Sequence, residues 1–248
     1  MDVYGLVGEK LSHSFSPDFF NNKFRKLGIK AEYKLFELQS SDDLPKLIAN
    51  NPDIKGLNVT IPYKRAVARF MDYIDKPAML TGSINTIKIK YKKNKPILYG
   101  YNTDVVGFEN SIKPLLKNKT YVDAIILGSG GSAKSVAYVL RKYGILFNYV
   151  TRNKTEITHR KYNWLCKETI EENLLIINTT PVGMYPNTSE SLPIPYEHIT
   201  KHHILFDLIY NPKETLFLKN GSKHGAICVN GLEMLKIQAE ASWKIWKK

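Results

Sequence analysis

The chain of 248 residues holds only two cysteines, Cys166 and Cys228, with no CxxC pair and no spacing that suits a metal. That scarcity excludes a disulfide framework and a structural zinc, and it fits a reducing compartment. No apolar run approaches the roughly 20 residues that cross a bilayer, so neither a transmembrane helix nor a membrane partner is expected. The first residues run straight into "VYGLVGE", with no basic segment followed by a long apolar one. No secretory signal is read there, and the expectation is a soluble, cytoplasmic protein. Acidic residues are sparse, with 23 Asp and Glu against 36 Lys and Arg, a formal net charge of +13. The lysines are scattered, and "KIKYKKNKP" at 88–96 and the final "WKIWKK" belong to no recognisable nucleic-acid module, so no nucleic-acid partner is expected. The excess charge reads as a solvated basic surface, with attraction for anionic small molecules as the sharper alternative.

What is present is an α/β pattern. "VYGLVG" at 3–8 reads as a buried strand and "SPDFFNNKFRKLG" as a helix, with Ser16 able to cap it, Pro17 in the first turn and Gly28 after the last. "AEYKLFEL" and "IKGLNVTI" are strand-like, "SDDLPKLIAN" is a short helix, and "YKRAVARFM" is predicted helical. "NTIKIKYKKNKPILYGYNTD" alternates apolar and polar residues around Lys93–Lys95, the period of a hairpin with one wet face. A helix over 105–116 follows. Strands then alternate with helical segments ("VDAIILG", "FNYVTRN", "LLIINTTP", "HILFDLIY", "AICVNG"), which predicts crossover units and a parallel sheet. Two α/β domains are expected, changing over near 102–108.

Three glycines crowd "LGSGGSAKSV" at 127–136, between a buried strand and a helix. Gly128 permits a tight turn, the next glycine of Gly128-x-Gly130-Gly131 lets main chain approach a pyrophosphate, and the small Ala133 lets the helix pack close to the strand. A glycine turn with no ligand gives the same local pattern. The strand before, the helix after and the next strand on schedule favour a dinucleotide. That next strand ends "YVTRN", where NAD binders commonly carry an acid for the ribose hydroxyls. Arg152 stands there instead, with Lys154 beyond, and an arginine holds the 2′-phosphate of NADP by charge and planar hydrogen bonds. A surface arginine is the bland alternative; the reading is NADP(H).

The first half is rich in short polar groups at strand ends. "SHSFSP" offers Ser12, Ser14, Ser16 and His13, small hydroxyls that suit a carboxylate, with helix capping the alternative for Ser16 and a structural role favoured for His13. "NVTIPYK" puts Asn58 and Thr60 on one face of a strand and Lys64 at an expected helix start, where dipole and partial burial would depress an ammonium pKa. A lone lysine is more often solvated. "SINT" and "YNTD" add Asn85, Thr86, Asn102, Thr103 and Asp104, the last either a helix cap or a functional carboxylate.

Taken together, HSxSP at 13–17, NVTxPxK at 58–64, INT at 84–86, GxNTDxxG at 100–107, GxGGxA at 128–133, Arg152, TPVGM at 180–184, DxIYNPxxT at 207–215 and GLxMLxxQ at 231–238 resemble the shikimate dehydrogenase family, nearly end to end. The resemblance implies reversible NADPH-dependent reduction of 3-dehydroshikimate to shikimate, in the shikimate pathway of aromatic amino-acid biosynthesis. It implies a substrate domain, 1–103 plus 232–248, and a Rossmann-type, doubly wound NADP domain, 104–231, with the C-terminal helix returning to the first domain and the substrate ring lying between them. Carried over by position, Ser14 and Ser16 would bind the substrate carboxylate with Tyr210. Asn58, Thr60, Asn85 and Gln238 would hold ring hydroxyls and carbonyl, and Lys64 and Asp104 would be the catalytic pair. Gly128, Ser129, Gly130, Gly131, Ser132, Ala133, Thr151, Arg152, Lys154, Thr180, Met184 and Gly231 would line the cofactor side. No metal is implied, and a monomer or homodimer is expected. The sequence departs from the family where Thr151-Arg152-Asn153 replaces the usual Asn-Arg-Thr, and where Ser129 and Ser132 replace alanine. The 152–174 stretch is abbreviated. The close rival is an NAD-using quinate/shikimate dehydrogenase, against which Arg152 and the missing acid speak. A non-catalytic relative would be expected to lack Lys64 or Asp104.

Overall fold

The structure is a computed structural model that describes residues 1–11, 14–117, 123–152, 156 and 159–248. Its contacts divide the chain into two compact units, 1–103 with 238–248, and 104–237.

The first unit contains β1 (Asp2–Gly8), α1 (Ser16–Lys26), β2 (Ala31–Glu37), α2 (Leu44–Asn50), β3 (Ile54–Val59), β4 (Tyr73–Ile74), α3 (Lys76–Thr81), β5 (Thr86–Lys92) and β6 (Lys95–Tyr101). Its mixed sheet has the order β2-β1-β3-β5-β6-β4, parallel around β1 and antiparallel where β5 joins β3 and β6. The β5–β6 hairpin turns on Lys93 and Asn94, both at positive φ.

Strand alternation sends side chains to two cores. Val7, Leu57, Val59, Ile87 and Ile89 pack with Leu44 and Ile48 of α2 on one face. Tyr4, Leu6 and Tyr33 pack on the other against Phe20 and Phe24 of α1 and Trp243 and Trp246 of the C-terminal helix. Gly56 is required by that second core. A Cβ there would overlap the Trp246 indole, whose Nε1 donates to the Ile87 carbonyl at 3.0 Å.

The second unit contains α4 (Asp104–Leu116), β7 (Ala124–Leu127), α5 (Gly131–Lys142), β8 (Phe147–Val150), β9 (His159–Arg160), α6 (Lys167–Glu172), β10 (Leu175–Asn178), β11 (Ile204–Asp207), α7 (Leu216–Lys223) and β12 (Ile227–Val229). The final helix, α8 (Leu232–Lys247), supplies its residues from Gln238 onward to the first unit. The sheet is parallel throughout, in the order β12-β11-β10-β7-β8-β9. Its central strands are buried on both faces, which is why they read as unbroken apolar runs. Ile126, Ile177 and Phe206 meet Phe108 of α4 and Val136 and Leu140 of α5, while Ile125, Ile176 and Leu205 meet Ile170 of α6 and Phe217 and Leu218 of α7. From β7 the chain builds β8 and β9 to one side, then crosses back to build β10, β11 and β12 on the other. The strand order therefore reverses between β7 and β10, and a crevice at such a switch point is where doubly wound sheets bind ligands.

Local expectations are corrected in places. "YKRAVARFM" is not an α-helix: the chain turns through 61–65 and forms only a short 3-10 segment, Ala66–Phe70. Five residues wound that tightly provide no α-helix start for Lys64. Ser16 lies inside α1 rather than capping it, and the Ser14 hydroxyl accepts the Ser16 N–H at 3.2 Å. Asp104 is the first residue of α4 rather than a cap ahead of it. The helix α3, capped by the Asp75 side chain on the Ala78 N–H, was not signalled by periodicity because it has fewer than two full turns.

Candidate active site

In the first unit, polar residues from four elements form one buried network. Asn58 is next to last in β3, Asn85 precedes β5, Thr86 opens it, Thr103 follows β6, and Gln238 and Ser242 lie one turn apart on α8. Asn58, Thr86, Thr103 and Ser242 are all buried, as is Asn85. A buried amide must be satisfied, and here backbone groups dictate which way each amide faces.

The Thr103 N–H donates to Asn85 Oδ1 at 2.7 Å, so the Asn85 oxygen faces inward. Its Nδ2 faces Gln238 Oε1 at 3.5 Å, and the Thr103 hydroxyl lies between that oxygen, at 3.2 Å, and Asn85 Oδ1, at 3.1 Å. Gln238 therefore has its Nε2 hydrogens to offer elsewhere. Asn58 Nδ2 faces the Asn85 carbonyl at 3.3 Å, the Thr86 hydroxyl at 3.2 Å and the Ser242 hydroxyl at 3.0 Å, and the Ser242 hydroxyl donates on to the Gln238 carbonyl at 3.0 Å. The Asn58 oxygen therefore faces the other way and accepts from the Tyr33 hydroxyl at 2.8 Å.

The remaining expected residues of this unit lie at nearby chain positions. Ser14 is half-buried ahead of α1, with its oxygen occupied by the Ser16 N–H and its proton left to give. Ser16 is buried. Thr60 and Lys64 follow β3 in half-buried positions, with the Lys64 carbonyl accepting the Ile84 N–H at 2.7 Å. His13 lies outside the described residues.

In the second unit the glycine turn leaves β7 at the switch point. Gly128 has φ +103°, and a Cβ there would come within 2.7 Å of Thr179 Oγ1 and 3.0 Å of Thr180 Cγ2, so both conformation and space demand glycine. Gly130 is different: its φ is an ordinary −74°, and nothing stands within 4 Å of a Cβ built on it. The fold does not itself require a bare backbone there; a group approaching from outside the chain would. Gly130 also brings no side-chain cap to the first turn of α5, whose N–H groups suit an anion. Ala133 is wholly buried against the strand. Ser129 and Ser132 flank the turn, half-buried. These features fit a dinucleotide pyrophosphate.

Opposite the turn, the loop after β10 is held by a buried carboxylate. Asp207, at the end of β11, is 0% exposed. It accepts from Asn178 Nδ2 at 3.0 Å, the Ile209 N–H at 3.0 Å and the Thr215 hydroxyl at 2.6 Å. Burial pushes its pKa up from 3.8 to about 6 despite these donors. The Asn178 oxygen in turn accepts the Thr180 N–H at 2.9 Å and the Thr180 hydroxyl at 2.7 Å. Gly231 is explained by packing, since a Cβ would collide with the Leu208 carbonyl. Met184 is exposed and Tyr210 half-buried in the loops after β10 and β11. Thr151 is buried beyond β8, its N–H on the Arg160 carbonyl at 2.8 Å, and Arg152 is exposed. Asn153 and Lys154 lie outside the described residues.

The structure thus joins Asn58, Asn85 and Gln238 in one network, and brings Gly128 against Thr180. Sequence reasoning missed Tyr33, Ser242, Asn178 and Asp207. A polar residue closing an apolar strand, as in "LLIIN" and "ILFD", was the available signal for the last two. Among the described residues no group of three or more His, Cys, Asp or Glu could hold a metal, and no helix is long and apolar enough to cross a membrane.

Comparison with known proteins places the chain in a family. A family model, the shikimate dehydrogenase substrate binding domain, matches residues 6–87. A shikimate dehydrogenase (NADP(+)) of Clostridium beijerinckii is 40% identical over 260 aligned positions, which cover 100% of this chain and 93% of that one. The crystal structure of shikimate dehydrogenase 1 from Peptoclostridium difficile superposes with a TM-score of 0.85 at 38% identity, covering 100% of this chain and 92% of that one. A shikimate dehydrogenase solved in complex with NADP+ gives a TM-score of 0.85 at 32% identity, over 99% and 90% of the two chains. Sequence and fold agree over the whole length, and the chain belongs to the shikimate dehydrogenase family.

Proposed function

We propose that this protein catalyses the reversible NADPH-dependent reduction of 3-dehydroshikimate to shikimate. The observation that carries the reading is the polarity of the first unit's network. Asn85 and Gln238 turn amide oxygens inward, Gln238 has N–H groups to offer, and Asn58 presents an oxygen. Such a set recognises a ring bearing both carbonyl and hydroxyl oxygens. Its likeness over full length to proteins named for this activity supports the same reading.

Ser14 and Ser16, with Tyr210, hold the substrate carboxylate through neutral hydroxyls, which avoids burying a further charge. Asn58, Thr60, Asn85 and Gln238 hold the ring oxygens. Bound NADPH supplies the hydride for the carbonyl carbon. Lys64 supplies the proton that the carbonyl oxygen needs as the C–H bond forms, and in the reverse direction takes it back. Asp104 serves as the carboxylate that orients the reacting hydroxyl and the ammonium.

Gly128, Ser129, Gly130, Gly131, Ser132 and Ala133 take the pyrophosphate; Thr151, Arg152 and Lys154 take the 2′-phosphate; Thr180, Met184 and Gly231 flank the nicotinamide. The protein works in the cytoplasm as a monomer or homodimer. Arg152, in the place of an acid after β8, disfavours the NAD-using quinate/shikimate alternative.

The test is to supply shikimate, or quinate, with NADP+ or NAD+ and follow reduced cofactor by absorbance. Shikimate with NADP+ is expected to give the highest kcat/KM of the four pairs. No turnover with that pair would overturn the reading.

A further inference from the structure

Tyr33 belongs to none of the motifs above, yet it touches the network at the oxygen that a ligand would use. It sits on β2, two strands from Asn58 in the order β2-β1-β3, and its phenol reaches across β1 on the face shared with α1 and α8. Its position is closely held. The ring is 3% exposed and stacks on Phe20 at 4.6 Å with an interplanar angle of 8°. Both of its backbone polar groups are gripped by one α1 side chain: Asn21 Oδ1 accepts the Tyr33 N–H at 2.8 Å, and Asn21 Nδ2 donates to the Tyr33 carbonyl at 3.2 Å.

The proton directions follow from groups that have no choice. A backbone carbonyl can only accept, so the Asn85 carbonyl fixes Nδ2 of Asn58 toward itself and Oδ1 toward Tyr33. The Tyr33 hydroxyl must then donate to Asn58. Burial raises the phenol pKa further above its ordinary value, so it remains a donor across the working range. On the other side of the amide, the Ser242 hydroxyl is 0% exposed and meets Asn58 Nδ2 at 3.0 Å and Thr86 Oγ1 at 2.8 Å. The amide is gripped at both ends, with one Oδ1 lone pair committed to Tyr33 and one remaining.

We propose that Tyr33 is a positioning residue for substrate recognition: it holds the Asn58 oxygen so that a ring hydroxyl, not a carbonyl, is accepted there. Ser242 supports the same amide from behind. The proposal rests on the reading of Asn58 as a substrate-binding residue. Tyr33 acts on the ligand through Asn58, so its removal acts on substrate binding and not on hydride or proton transfer.

The test is steady-state kinetics of Tyr33→Phe and Ser242→Ala, with KM for shikimate, KM for NADP+, kcat and Tm measured for each. Tyr33→Phe keeps the stacked ring and removes one oxygen. Loss of its hydrogen bond to Asn58 is expected to raise the shikimate KM about tenfold, with kcat and the NADP+ KM unchanged, and Ser242→Ala is expected to move the same parameter. In an Asn58→Ala background, Tyr33→Phe is expected to add nothing further. An unchanged shikimate KM in both single variants overturns the proposal. So does a joint fall of kcat, both affinities and Tm, which would make the role merely structural. A wild-type protein that fails to oxidise shikimate with NADP+ overturns the functional reading itself, and that result appears before any variant is made.

Discussion

Thr179 donates its hydroxyl to the carbonyl of Leu127 at 2.6 Å. One residue beyond each of them stand Gly128 and Thr180, so this bond ties the loop after β10 to the strand end where the glycine turn begins. The two sides of the switch-point crevice are therefore one hydrogen-bonded construction, and its parts should respond differently to substitution.

Gly128 and Gly130 make the sharpest contrast. Gly128→Ala forces a side chain into a left-handed conformation and against Thr179 and Thr180. It is expected to destabilise the protein by about 1–3 kcal/mol and to weaken NADP+ binding. Gly130→Ala meets nothing in the chain, so its Tm should match wild type while the NADP+ KM rises about tenfold or more as the methyl keeps the pyrophosphate off the backbone. Equal NADP+ KM values for Gly130→Ala and wild type would remove the pyrophosphate from this turn.

Asp207 predicts a pH-dependent stability. Its carboxyl pKa is raised from 3.8 to about 6, chiefly by burial. The folded state therefore holds the proton more firmly than the unfolded chain, and the contribution is fully present below pH 3.8 and lost as pH rises through about 6. A shift of about two units corresponds to about 3 kcal/mol. Asp207→Asn has no such titration. The stability of wild type relative to Asp207→Asn, measured by urea unfolding from pH 4 to 8, should fall across that window and stay level above it. A flat difference would show that burial does not shift this group.

Lys64→Ala is expected to lower kcat by roughly 10²–10⁴-fold, the usual worth of a positioned acid–base group, with far less change in the shikimate KM. Near wild-type values of both constants would rule out the proton-transfer role.

Arg152→Gln is expected to cut kcat/KM with NADP+ by about 10–100-fold, the equivalent of one charge-assisted phosphate contact. The rate with NAD+ should stay as it was. If both cofactors lost activity equally, the arginine would not be reading the 2′-phosphate.

Legibility in the sequence followed the range of the interactions. The parallel sheet of the second unit was readable because its strands are buried on both faces and so appear as apolar runs such as "AIIL" and "LLIIN". The hairpin turn at Lys93–Asn94 was readable because alternation reverses around it. The helix start expected at Lys64 was misjudged because nine residues of mixed polarity do not distinguish an α-helix from a turn followed by a 3-10 segment. Ser16 was misjudged because a serine before a proline fits a cap equally well whether or not its oxygen is used. Tyr33, 25 residues from Asn58 along the chain, gave no local sign of the bond between them.

By itself the sequence determined the fold class, the glycine turn with its arginine, and the set of short polar residues at strand ends, because each depends on neighbours within a few positions. Only the tertiary structure decided which way the amides of Asn58, Asn85 and Gln238 point, and that Asp207 and Asn178 hold Thr180. Those directions are set by the Asn85 carbonyl, the Thr103 N–H and the side chains they position, from segments far apart in the chain. A hydrogen bond's polarity is known only once its partner has been brought within about 3 Å.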